Sequence, residues 1–156
     1  MNEQILRQQL KILLEGGKAH LKVHDIINDF PVEHINSRAP NIPYSAWELL
    51  EHMRIAQKDI LNFMINDEYV EMQWPEEYWP KKNIEANEKD WVESIKMFWD
   101  DLNKIKKIIE DIETDLFISL PYGDEYTILR EVLLVADHNS YHLGQLMSLR
   151  RALKLL

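Results

Sequence analysis

Apolar residues recur at intervals of three and four along most of the chain, and no stretch alternates apolar with polar as a half-buried strand does. The first run steps through Leu6, Leu10 and Leu13. The rhythm continues past the Gly16-Gly17 pair through Gly17, His20, His24 and Ile27. Paired glycines weaken a helix, so the spacing predicts one kinked helix or two stacked ones over about Asn2 to Asp29. Pro31, Pro40 and Pro43 make the next stretch, 31–44, a loop.

A second helix is predicted to start at Ser45, where Glu48 lies three residues on and completes a capping box. Tyr44 and Leu49 are spaced to staple that start. Leu49, Met53, Ala56, Ile60 and Phe63 then mark a buried face, fading near Asn66. The segment EYVEMQWPEEYWPKKN reads as a non-helical crossover. Its aromatic residues Tyr69, Trp74, Tyr78 and Trp79 are expected to pack along the helices. Trp91, Ile95, Phe98, Leu102, Ile105, Ile109 and Ile112 alternate steps of four and three, predicting a third helix over about Ile84 to Ile112. LPYGDEY ends it. Thr127 or Asp124 is expected to cap a last helix reaching about Lys154. The expectation is an all-α fold: a four-helix bundle with a long crossover connection, in one domain over residues 1–156.

Composition narrows the function. The chain has 156 residues, 46% of them apolar, enough for a substantial core. A net charge of -9 disfavours nucleic acid and anionic membrane surfaces as partners. There is no cysteine, so neither a disulfide, a thiolate metal site nor a protein thiol nucleophile is available. The polar-interrupted start, MNEQILRQQLKILLEGG, resembles neither a secretory signal nor a membrane span. A cytoplasmic protein acting on a small molecule is expected.

The candidate chemistry lies in ADHNSYHLGQ, Ala136 to Gln145. His138 and His142 are four apart, so on a helix they differ by about 40° in azimuth and about 6 Å along the axis. His138 shares a stripe with Leu134, Tyr141, Gln145 and Ser148; His142 lies beside Val135, Leu146 and Leu149. Two imidazoles so placed either converge on a metal ion or are hydrogen-bonded core histidines. His52, bordering the apolar face of the second helix, is the natural third ligand. Three neutral imidazoles leave at least one coordination position open, the layout of a catalytic site. His20 is a candidate for lining the site, with His24 behind it, while His34 in the proline-rich loop is expected to be exposed. Asp137 and Glu51 point about 100° away from the ligands beside them and are expected to solvate a face. Glu48 is claimed by its capping box.

YSAWELLEHMRIAQKDIL together with REVLLVADHNSYHLGQLMSLRR resembles the DinB-like superfamily, and the resemblance spans nearly the whole chain. Its most specific part is a histidine on the second helix followed much later by HxxxHxGQ, here His52, His138 and His142 with Gly144 and Gln145. The resemblance implies a four-helix bundle, often a homodimer, that binds a divalent ion such as zinc or nickel through those three histidines. It also implies kinship with bacillithiol transferases and mycothiol-dependent enzymes. A metal lowers the pKa of a low-molecular-weight thiol and so yields a nucleophile at neutral pH. With no cysteine in the chain, that thiol comes from outside. Tyr141, Gln145 and His20 are candidate pocket or supporting residues. Two alternatives stand beside the thiol transferase: a hydrolase using metal-activated water, and a non-catalytic, stress-related dimeric bundle.

Overall fold

The computed structural model describes residues 2–82 and 84–156, and in them the chain is all-helical. Five α-helices run in the order α1 (Asn2–Glu15), α2 (Val23–Ile27), α3 (Ala46–Ile65), α4 (Glu88–Glu110) and α5 (Ile128–Ala152). None is long and apolar enough to cross a membrane. Among the described residues, extended pairing is confined to two isolated bridges, Gly16 with Lys22 and Ser119 with Thr127.

Of the two arrangements expected for the first stretch, the chain forms two separate helices, α1 and the short α2. Gly16 and Gly17 have φ of +69° and +83°, left-handed conformations that end α1. A Cβ on Gly17 would stand 2.7 Å from Lys22 Cγ, so the turn closes too tightly for a side chain there. The helical rhythm of 17–24 is therefore not realised as a helix face. Val23, Ile26 and Ile27 are buried, whereas His20 and His24 are exposed.

The other starts follow local chemistry. Ser45 and Glu48 form the expected capping box, and Thr127 rather than Asp124 caps α5 through Arg130 N. Helix α4 begins at Glu88, four residues later than its apolar spacing suggests, because Asn87 and Asp90 make a second capping box. Ile84 and Ile112, the expected ends of that helix, are both exposed. Between them Trp91, Phe98, Leu102, Ile105 and Ile109 are almost wholly buried, each burial contributing roughly 1.5–3 kcal/mol.

Helix α3 is central: it packs along α4 and along α5, and α1 closes against the other sides of α4 and α5. Short α2 rests on α5. One contiguous apolar core draws on all five helices. Two buried polar side chains cross it. Gln57 Nε2 donates to Phe98 O (2.8 Å), and Asn139 Nδ2 donates to Gln57 Oε1 (2.9 Å), tying α4, α3 and α5 in one line. Glu51 does not solvate a face: it accepts from Nε and Nη2 of Arg54 and from the Ser94 hydroxyl at the α3–α4 seam.

The crossover is not wholly irregular, since Glu76–Tyr78 form a 3-10 turn. Tyr69, Tyr78 and Trp79 pack inward as expected, but Trp74 is 68% exposed.

Arg7 locks the end of α4 to α1. Its side chain is buried and donates to Ile109 O (2.9 Å), Asp111 O (2.8 Å) and Thr114 O (2.6 Å). Arg7→Ala strands those carbonyls and is expected to lower stability by roughly 2–4 kcal/mol, read from the urea midpoint. Arg7→Lys recovers part of the loss, since one ammonium cannot span all three carbonyls. An unchanged midpoint in the alanine variant would show that water replaces the guanidinium at no cost.

Candidate metal centre

His52 occupies the second turn of α3, and His138 and His142 occupy successive turns of α5. Because α3 and α5 pack side by side, the three imidazoles face one another. One nitrogen from each falls within 4.8 Å of the others, so the three histidines could hold a metal ion. Ring centroids lie 4.9 Å apart for His52 and His138, 4.6 Å for His52 and His142, and 4.5 Å for His138 and His142. His52 Nε2 and His138 Nε2 are 3.1 Å apart. Imidazole nitrogens sharing a tetrahedral zinc at about 2.0–2.1 Å stand about 3.3 Å from one another, so little adjustment separates this pair from ligand geometry.

The outer nitrogens bear on the fit. His52 Nδ1 donates to Tyr78 O (2.6 Å). His142 Nδ1 donates to Gln145 Oε1 (2.7 Å). In a neutral ring each of these bonds leaves Nε2 bare as a lone-pair donor directed inward. Carbonyl and amide partners of this kind orient metal-binding histidines and raise their basicity. A divalent ion fits this donor set. Among the described residues the convergent group contains no carboxylate.

Burial keeps the rings neutral. Desolvation lowers the pKa of His52, partly offset by its bond to Tyr78 O. Desolvation also lowers His142, with the Gln145 bond opposing it and the charge of His52 adding to it. His138 is lowered furthest, to about 4, by desolvation and then by mutual repulsion with His142 and His52; the Asn139 side chain works the other way.

Aromatic side chains cover the site from the crossover. Trp79 stacks flat on His52, with centroids 3.9 Å apart and planes 1° from parallel, and Tyr44 stacks on Trp79 at 4.3 Å. His52 and His142 are buried, while His138 is half-buried and gives the group its solvent side. Two cavities flank the group. One of about 270 Å³ is lined by Tyr44, Leu49, Tyr141, Gly144 and Gln145. Another of about 440 Å³ includes Tyr78 and Leu134 in its wall.

The other expected residues fall in different places. Gln145 is in contact with His142, and Tyr141 sets its ring edge-on to His142 at 4.9 Å while remaining 64% exposed. His20 is not brought to the group: its ring folds back on Leu21 O (2.7 Å) in the turn after α1 and lines a separate cavity against the outer face of α5. His24 sits in solvent beside Asp25. His34 is half-buried rather than exposed, near Ser37 Oγ. Asp137 is exposed, as expected. The sequence reading missed the Tyr78 carbonyl, which no residue type announces, and the Trp79 stack. Trp79 was foreseeable only as an aromatic residue needing cover.

No family model matches the chain, and no curated protein or solved structure matches it significantly.

The lowered histidine pKa values give a direction for stability. In the folded metal-free protein these rings bind protons less readily than in the unfolded chain, where their pKa is about 6.5. Stability is therefore fully present above about pH 6.5 and drains as pH falls towards about 4, the value of His138. The urea midpoint of chelator-treated protein is expected to fall across that window. His138→Gln should flatten the fall, and an identical slope in both proteins would exclude His138 as its source.

Proposed function

We propose that this chain is a cytoplasmic member of the DinB-like superfamily, a homodimeric four-helix bundle that holds a divalent ion, zinc or nickel, through His52, His138 and His142. Its activity in this reading is transfer of a low-molecular-weight thiol, bacillithiol-like, to a small electrophile. The observation that carries the reading is the convergence of the three histidines, two of them with the outer nitrogen held by Tyr78 O or Gln145 Oε1. The bundle reading is supported by four long helices in which α3 and α1 each pack against both α4 and α5. The family assignment and the dimer rest on the resemblance of the helical motifs.

When bound, the ion supplies Lewis acidity that holds a thiol as its thiolate at neutral pH. The chain does the rest. Tyr78 O and Gln145 hold His52 and His142 as neutral ligands of fixed orientation. Trp79 excludes water from the His52 side, leaving the half-buried His138 edge as the approach for a small molecule. A thiol co-substrate brings its own nucleophile and needs no neighbouring base once ionised. A hydrolase would need one, and no carboxylate joins the cluster among the described residues. That difference favours transfer over hydrolysis.

A non-catalytic metal-binding role is the second reading, favoured by the burial of His52 and His142 and by the Trp79 ring stacked on His52. Catalytic rate separates the two. Protein purified without chelator or nickel resin is expected to carry about one ion per chain, lost in His138→Ala/His142→Ala. With bacillithiol and a chlorinated or epoxide electrophile, the loaded protein should turn over at least roughly a hundredfold faster than His52→Ala. Metal retention with no such difference would select the non-catalytic reading, and no metal in either protein would overturn both. Gln145→Ala should weaken the ion's affinity roughly 10–100-fold by releasing His142, measured by competition with a chromogenic chelator.

A further inference from the structure

The 440 Å³ cavity beside the histidines is built from two kinds of surface. One wall is aromatic. Phe63 stands at its centre, stacked on Tyr122 at 4.6 Å and meeting Tyr69 and Tyr126 edge-on at 5.1 and 5.4 Å. The other wall is carboxylate. Asp59 is buried and accepts the hydroxyls of Tyr69 (3.0 Å) and Tyr78 (2.6 Å). Glu131 is only 1% exposed, yet among the described residues only its Oε1 is hydrogen-bonded, to Arg130 Nη1 at 2.7 Å. Glu71 stands at the rim.

Three acidic groups here face one basic group, Arg130. That arginine reports what the walls attract. Its guanidinium carbon lies 5.1 Å over the Tyr126 ring while a nitrogen pairs with Glu131. Nearly half of the Arg130 side chain is in solvent, so the arginine stands at the rim of the cavity. The Glu131 side chain is almost wholly buried, its Oε2 takes no hydrogen bond among the described residues, and it shares one cavity with tyrosine rings, a combination that favours a cation. Burial raises the Glu131 carboxyl pKa, with the Asp59 charge adding to it against Arg130, and a second cation would relieve that repulsion. The Tyr69 hydroxyl donates to Asp59 Oδ1 and the Tyr78 hydroxyl to Asp59 Oδ2, so both oxygens of Asp59 are taken. Glu131 is left as the carboxylate available to a ligand.

We propose that this cavity binds the ammonium group of a small organic cation, held between the Glu131 carboxylate and the aromatic wall of Phe63, Tyr122 and Tyr126. The cavity adjoins the histidine group twice over. Tyr78 lines it while its own carbonyl holds His52, and Leu134 lines it one turn before His138 on α5. A ligand anchored here by its ammonium group and leaving the cavity past Leu134 would extend towards His138. That extension makes the cavity the anchoring subsite of the co-substrate and rests on the functional reading above; ammonium binding itself does not.

The experiment titrates metal-free and zinc-loaded full-length protein with choline, with ethanolamine and with 3,3-dimethylbutan-1-ol, the uncharged isostere of choline, following heat and tyrosine fluorescence. Saturable binding of the cations, at least roughly tenfold tighter than the isostere, is expected in both forms. Glu131→Gln should weaken choline at least roughly tenfold, and Tyr126→Leu should weaken it as well, each checked for an unchanged helical spectrum. His138→Ala/His142→Ala should leave it unchanged, so loss of the metal and loss of this site are read separately. Equal binding of choline and its isostere, or no saturation at tens of millimolar, would overturn the proposal. So would full choline affinity in both folded cavity variants.

Discussion

The Tyr78 carbonyl and the His52 Nδ1 proton meet across a 2.6 Å hydrogen bond, and much of the site depends on it. It joins the crossover to the early turns of α3. It sets the tautomer of His52, because a carbonyl oxygen only accepts. With the proton committed outward, Nε2 turns to His138 and His142 as a bare donor. The same bond places Tyr78 so that its hydroxyl reaches Asp59 (2.6 Å), and it brings the next residue, Trp79, flat onto the His52 ring. Without it the tyrosine hydroxyls on Asp59 would still tie the crossover to α3, but about two turns further along and with no hold on the imidazole.

Buried polar groups in this protein come in two kinds. Some hold helices in register. The Phe98–Gln57–Asn139 line crosses from α4 through α3 to α5, and Arg7 gathers the carbonyls at the end of α4. Each of these fixes one helix along another, which apolar packing alone specifies weakly. The other kind gathers ionisable side chains beside a cavity: the histidine group, and the Asp59–Glu131 wall about two helical turns away. Both lie where α3, α5 and the crossover meet. Asn139 links the two kinds. Its amide holds Gln57, while its Oδ1 has no partner among the described residues and its side chain favours the charged form of the adjacent His138.

Helices whose ends and faces are set by neighbours in the chain are legible in the sequence. The Ser45–Glu48 box, the buried stripe of α4 and the Thr127 cap depend on residues three or four apart, and the structure has them. The stretch after Gly16 misleads for the same reason in reverse. Its spacing is helical, but two left-handed glycines turn the backbone, and periodicity cannot register a change of chain direction. His20 and His24 lose their expected place with it. The Asn87–Asp90 box shows the opposite case, a local signal that sets the start of α4 although the apolar spacing reaches back to Ile84.

By itself, then, the sequence determined the helical class, most helix starts, and that His138 and His142 lie on one face of one helix, because each is a short-range property of spacing and capping. The sequence also marked His52 as their third member, and the structure brings it to them; the tertiary structure alone decided that a crossover carbonyl selects its tautomer, that Trp79 covers it and that His20 does not reach it. It also decided that Asp59 and Glu131, 72 residues apart in the chain, share one aromatic cavity. These contacts span α3, α5 and an irregular connection whose path follows from packing and hydrogen bonding across the fold, and no periodicity within a segment encodes which segment will lie against it.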